Sequence, residues 1–462
     1  MRRLSILSFL PLLFACTATT SDGTGGQSGA GGSAGTGGLG GSTGTGGSSG
    51  TGGSFGTGGS FGTGGTGGRS GSGGAGGAPN DDAGGTPDRP STADGPPSGD
   101  VAGNRTAYVF TTSSTGYGTP GRITSLKLDL ATGALTKGPT TNGRNNLFYG
   151  AFSPDKKYLF TVTEEAPSAH LSSFFVNAGS GALALINDVA TGASNAEHVA
   201  VHPSGQWATV AHFTGGQVTL HPVQGNGTVG APADTKLAAT TSGPNCHQTV
   251  FDSSGSSLFV PCLGARLVAQ FRLMNNMLTP NTPATVSVVG QIRHLAFGTD
   301  ELFAYGVTEV QATLVTFTYD KAAGRLTTVG SPIPAFVTEA GGGGHVIVHP
   351  SGKFLFVSSR FDNKLVTFSI NAGTGAATMA SSTDDSLSYP RDFALDPSGA
   401  YLIAGTQPNS VATMVPNKRP DGGGKLVVFR IDQNNGSLSR MSTPTTVESG
   451  SGSVWWVGTL AF

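Results

Sequence analysis

The 462 residues include 75 glycines, 34 of them between Ser21 and Asp100, so the folded part must be shorter than the chain. Twenty-six basic and 27 acidic side chains leave a net charge of −1 with both signs scattered. That excludes the basic footprint of a nucleic-acid binder and the polybasic patch of a membrane-surface protein.

The chain opens MRRLSILSFLPLLFAC, two arginines before about eleven apolar residues, a pattern of export and too short to span a bilayer. Leu13-Phe14-Ala15-Cys16 resembles a bacterial lipobox. Residues 1–15 are therefore read as a lipoprotein signal peptide and Cys16 as a lipidated mature N-terminus. The protein is expected to be exported and held in the cell envelope, touching the membrane through its lipid alone. Residues 16–103 are rich in Gly, Ser and Thr, later in Pro and Asp, with almost nothing apolar to bury. They are expected to be a disordered linker with an r.m.s. span on the order of 50 Å.

From residue 104 the apolar segments favour β-branched and aromatic residues, and internal repeats dominate. One submotif closes a strand with a polar turn: KLDLATGALT, FFVNAGSGAL, HPVQGNGTVG, FRLMNNMLTP, FTYDKAAGRLT, FSINAGTGAAT and FRIDQNNGSLS, seven copies in all. A second joins two apolar strands by a tight turn: AFSPDKKYLFTV, AVHPSGQWATVA, VFDSSGSSLFVP, AFGTDELFAYGV, IVHPSGKFLFVS and ALDPSGAYLIAG, six copies. Their spacing averages about 49 residues, near the length of a four-stranded propeller blade. The missing seventh hairpin is supplied if AYVFTT (107–112) and SVWWVGTLAF (453–462) share a blade, which also removes the open sheet edges. The fold predicted for residues 104–462 is an all-β, seven-bladed β-propeller whose last blade is closed by N- and C-terminal strands.

These repeats resemble the lactonase family of seven-bladed propellers over essentially all of residues 104–462. The more specific pieces are GPNCHQTVFD with LFVPCLGARLVAQFRL, GQIRHLAFGTDELFAYGVTEV, HPSGKFLFVSSRFDNKLVTF and SYPRDFALDPSGAYLIAGTQPNSV. The resemblance implies a polar pocket at His247, Arg293, Glu309 and Arg360, with Arg391 and Gln407 in the equivalent slots one blade on. Hairpin geometry agrees: His247, Arg293 and Arg391 precede inner strands, Glu309, Arg360 and Gln407 follow the next ones, and all six should rim one mouth of the central channel. His198, Tyr149, His212 and Glu164 are placed in the corresponding positions of earlier repeats, with His198 among the substrate-binding residues. His202, His221 and His349 lie in or beside turns and are expected on the surface. Cys246 and Cys262 flank one hairpin where relatives show a polar pattern, and in an exported protein a disulfide between them is expected.

The activity implied is hydrolysis of a sugar-acid lactone, as by a 6-phosphogluconolactonase, with a small anionic lactone as partner. Glu309 is the candidate general base and His247 the general acid or water-positioning group, while Arg293 and Arg360 polarise the carbonyl and hold the anion. The alternatives are lactonisation of a muconate-type diacid and a non-catalytic ligand- or protein-binding propeller. No cofactor, metal or nucleic acid is expected, and the domain is expected to be a monomer.

Overall fold

A computed structural model of the chain describes residues 106–336, 342–383, 387–407, 424–441, 443–449 and 452–462. The segments read as a signal peptide (1–15) and a linker (16–103), with Cys16, lie outside the described residues.

The described residues form seven antiparallel sheets, six built from successive strands. Their innermost strands are Leu147–Phe152, Ala196–Val201, Val250–Phe251, Ile292–Phe297, Gly343–Val348 and Pro390–Leu395, and they define blades 1 to 6. In blade 7 the innermost strand is the C-terminal Ser453–Ala461, paired with Ala107–Ser114 from the other end of the folded domain. The ring is thus closed by main-chain hydrogen bonds rather than left with two exposed edges.

Burial explains the sequence pattern. The second strands are buried at every residue, as in Phe354–Ser359 and Tyr401–Thr406, or at all but the first, as in Tyr158–Thr163, because a neighbouring blade covers each face. They therefore read as continuous apolar or small runs instead of alternating ones. Outer strands such as Leu135–Asn145 are largely exposed and polar. The apolar core is seven layers, one per blade interface: Phe160 and Leu171 meet Val199 and Val210 between blades 1 and 2, and Tyr108 and Phe110 meet Leu147 and Leu159 between blades 7 and 1. That leaves the centre of the ring free for polar side chains.

The tight inner turns need one residue with positive φ. Gly205, Gly255, Gly352 and Gly399 supply it in four repeats, at φ near 70°, while Lys156 and Glu301 accept it in the other two. These turns all lie at one end of the channel, and the strand ends carrying the predicted site lie at the other.

Candidate active site

The site is built by a backbone irregularity repeated in all seven blades. In blade 4, Ile292 pairs with Thr308 and His294 with Val307, leaving Arg293 as an extra residue. The same one-residue bulge isolates Glu197, Arg391 and Trp455, and falls within Phe148–Tyr149 and Gly344–His345. In blade 3 it lies between the Cys246–Cys262 bridge and the Val250–Phe259 pair. A bulge suspends strict alternation, so two successive residues can both be aimed at the channel. The result is two stacked rings. The rim ring is Phe148, Glu197, His247, Arg293, Gly344, Arg391 and Trp455; beneath it lie Tyr149, His198, Gln248, His294, His345, Asp392 and Trp456.

A second repeated device fixes the residue after each second strand. Its N–H donates to the carbonyl of the loop before the first strand: Glu164 to Asn146, Glu309 to Gln291, Arg360 to Gly342 and Gln407 to Ser388, at 2.8–3.1 Å. Asn146, Asn195 and Asn245 take left-handed backbone at these loops, a conformation asparagine tolerates better than most residues.

Charged groups pair across the mouth. Glu309 lies between two guanidiniums, with Arg360 Nη2 3.0 Å from Oε1 and Arg293 Nε 3.2 Å from Oε2, the latter an ion-pair contact not aligned as a hydrogen bond. Arg293 also donates to Gly344 O and Arg360 to Gly342 O. Burial raises the pKa of Glu309, but the charges of Arg360, Arg293 and His247 more than offset it and hold the carboxyl at about 2. Its side chain keeps 23 % of its surface exposed, against 3–5 % for the two arginines, so it is the charged group most open to the mouth. Arg293, buried and beside Arg360 and Arg391, falls to about 9 and stays charged at neutral pH.

On the other side of the mouth, Glu197 Oε1 accepts from His247 Nε2 at 2.8 Å and from Arg391 Nη2 at 3.2 Å. Arg391 also packs on Phe148 and Trp455, 4.7 and 5.3 Å from their ring centres. Glu197 remains ionised because His247 and Arg391 outweigh its burial. Glu164, buried against Glu197, is pushed up to about 8 and is neutral. Burial and the charge of Arg293 drive His247 down to about 4 and His345 to about 3, and hold His294 well below its usual value. At the rim, three arginines face two ionised glutamates, so positive charge is in excess there. A small cavity of about 10 Å³ is lined by His247, Arg293, His294, Arg391, Asp392, Phe148, Tyr149 and Trp455.

Residues 106–455 match the family model described as a lactonase, 7-bladed beta-propeller. The chain belongs to this family. It is 25 % identical over 334 residues to 6-phosphogluconolactonase of Bacillus subtilis, covering 70 % of this chain and 91 % of that protein. It is 26 % identical over 318 residues to the 6-phosphogluconolactonase of Formosa agariphila, covering 65 % and 85 %. The solved periplasmic gluconolactonase of Pseudomonas aeruginosa is 26 % identical, with a TM-score of 0.65 over 77 % of this chain and 99 % of that one.

Within this lactonase propeller His247, Arg293, Glu309, Arg360 and Arg391 come together as one charged cluster. Gln407 reaches the rim through its backbone, its side-chain nitrogen having no hydrogen-bond partner among the described residues. His198 is corrected by one residue: the rim position of blade 2 is Glu197, and His198 lies in the lower ring, stacked on Tyr149 at 4.1 Å. Tyr149 likewise gives its rim place to Phe148. His212, which ends its strand, is fully buried against Ser194 O and Thr219 Oγ1 rather than facing the mouth.

The surface reading is overturned for His221 and His349 and holds in part for His202. His221 is buried inside blade 2, its nitrogens taken by Thr219 and Gly230. His349 is buried and His202 half-buried; each holds the serine two residues on and reaches the carbonyl of the glycine in the next blade's turn, Gly399 or Gly255. They latch neighbouring blades.

Glu197, His294, His345 and Asp392 were not expected in the site. Spacing shows them: in blades 1 to 6 the rim residue stands six positions, and the lower-ring residue five, before Pro154, Pro203, Ser253, Thr299, Pro350 or Pro397. Cys246 and Cys262 face each other as a bridge pair, their sulfurs bonded, and this link clamps the backbone beside His247.

Proposed function

We propose that the propeller hydrolyses a sugar-acid lactone carrying a carboxylate or phosphate. The carrying observation is the Arg293–Glu309–Arg360 clamp, which places two guanidiniums and an accessible carboxylate at one mouth. Arg360 and Arg293 would bind the anionic group and polarise the ring carbonyl. Glu309 would take a proton from the attacking water. A carboxylate at about pKa 2 is a weak base, but an anionic substrate that shares the two guanidiniums loosens the clamp and raises its basicity. His247, whose Nε2 faces Glu197, would position the departing ring oxygen with its N–H, and that oxygen would receive the proton Glu309 drew from the water. Arg391, stacked and ion-paired, would hold Glu197 in place rather than contact substrate first.

The test is a screen of purified protein against lactones of aldonic acids, with and without a phosphate, and against muconates. Turnover of an anionic lactone is expected. Muconate cyclisation alone would favour the reverse chemistry, and no turnover with tight binding would indicate a binding module. We also propose export with lipid attached at Cys16, supported by the lipobox-like LFAC. Changing Cys16→Ser should move the protein to the soluble fraction, and a variant still held by membranes would refute the anchor.

A further inference from the structure

The rim ring is divided into two arcs. Blades 2, 3, 4 and 6 place Glu197, His247, Arg293 and Arg391 there, and blade 5 a glycine, whereas the adjacent blades 7 and 1 place Trp455 and Phe148. These two rings lie 5.4 Å apart at 34°, with the Arg391 guanidinium against both. Phe148 is buried and Trp455 half-buried. Tyr117 adds a third ring from the loop joining Ala107–Ser114 to Pro120–Leu128, and 57 % of it is exposed. Phe148 and Trp455 line both the cavity of the charged cluster and a neighbouring recess, which they share with Tyr117, Asn146 and Glu164.

The polar edges of these rings are already committed. Trp455 Nε1 donates to Ser114 Oγ at 2.8 Å, and the Tyr117 hydroxyl donates to Glu164 O at 2.8 Å. Asn146 secures the same loop, its side-chain oxygen accepting from the Gly118 N–H and its nitrogen donating to Glu164 O at 3.3 Å. What Trp455 and Tyr117 offer a ligand is therefore a ring face, held still before anything binds. Among the described residues lining the recess none is an arginine, lysine or histidine, so it presents no cation to an anionic group. Its side-chain carboxyl, that of Glu164, suits hydroxyl groups. An apolar face edged with hydroxyls is the surface of a sugar ring.

Resting on the lactonase reading, we propose that the aromatic arc is a subsite for a second, uncharged sugar ring, so that the substrate is the lactone of a glycosylated sugar acid. Its anionic group meets Arg293 and Arg360, its lactone carbonyl lies at Glu309, and its glycosyl ring lies against Trp455 and Tyr117. Water adds at the lactone carbonyl and the acyl C–O bond breaks. The ring oxygen leaves as a hydroxyl with the proton that Glu309 drew from the water, and the glycosidic bond is untouched. The stacked ring is the same in the ground and transition states, so the arc acts on KM and leaves kcat nearly unchanged.

Open-chain sugar acids test the subsite without turnover. Gluconate supplies a carboxylate for the arginines and no second ring, and lactobionate is gluconate with a galactosyl ring attached. By calorimetry, lactobionate should bind the wild type about 10-fold more tightly than gluconate, the value of covering about 55 Å² of apolar surface. Tyr117→Ala and Trp455→Leu should each remove most of that ratio. Tyr117→Phe, which keeps the ring and gives up only the hydroxyl bond to Glu164 O, should retain most of it. Tyr117 sits on an exposed loop, so its variants report even where Trp455→Leu weakens the closing strand. Equal affinities in the wild type, a ratio unmoved by Tyr117→Ala, or a butyl ether of gluconate binding as tightly as lactobionate would each overturn the subsite. Turnover of an aldonic lactone with a ratio of one removes the subsite and keeps the lactonase reading. A tenfold ratio that Tyr117→Ala abolishes, in a protein that turns over no lactone, removes the lactonase reading and keeps the subsite.

Discussion

The two ends of the same hairpins use the same residue type for opposite ends. At the turn end, His202 and His349 each satisfy both ring nitrogens with a serine and a neighbouring blade's carbonyl. At the rim end, His247, His294 and His345 bond to one another and to Glu197. Partners made of fixed backbone give a latch. Partners that can exchange protons give a site, and the rim pairs them with clamped charges and buried atoms left unpaired.

The largest way to separate the two ends is acid. His198, His247, His294 and His345 around the channel, with His212 and His221 inside blade 2, are six histidines held neutral below 6.5, mainly by burial. The unfolded chain binds protons that the folded one does not, so stability is full above pH 6.5 and is lost as the pH falls toward 4. Asp392 and Glu164, raised to about 7 and 8, act in the opposite direction but are two against six. Denaturant melts should therefore weaken between pH 6.5 and 4; unchanged midpoints would contradict the buried neutral row.

Next comes Glu309→Gln, which keeps the shape of the clamp and removes the base. Turnover should drop by roughly 10²- to 10⁴-fold with substrate affinity nearly kept, in steady-state kinetics. Breaking the Cys246–Cys262 bond, 16 residues apart, should cost about 3 kcal/mol of unfolding free energy. Thiol titration of unreduced, denatured protein should find neither sulfur free. The smallest change expected is at the latch: His349→Ala should cost about 1–2 kcal/mol in melts, because Gly399 O loses its partner, and leave turnover intact.

The propeller was legible because turn motifs such as HPSG and DPSG recur at blade spacing and the two unpaired terminal strands demanded each other. The cluster of His247, Arg293, Glu309 and Arg360 was legible from hairpin ends and family resemblance together. The bulge was not. Strict alternation allows one residue of each adjacent pair to face the channel, so it favours His198 over Glu197 at the rim and leaves His294 and Asp392 hidden beside Arg293 and Arg391. His349 departs from the surface expected of a turn because the next blade covers it, while His202 is covered only in part.

The central claim is that Arg360 and Arg293 at the rim read a negative charge on the substrate. The direct measurement is kcat/KM for a lactone with and without its anionic group, in the wild type and in Arg360→Ala. The wild type should favour the charged lactone, and Arg360→Ala should lose most of that preference, chiefly through KM. A charge preference that survives the substitution undiminished would place the anion elsewhere and contradict the assignment of this mouth.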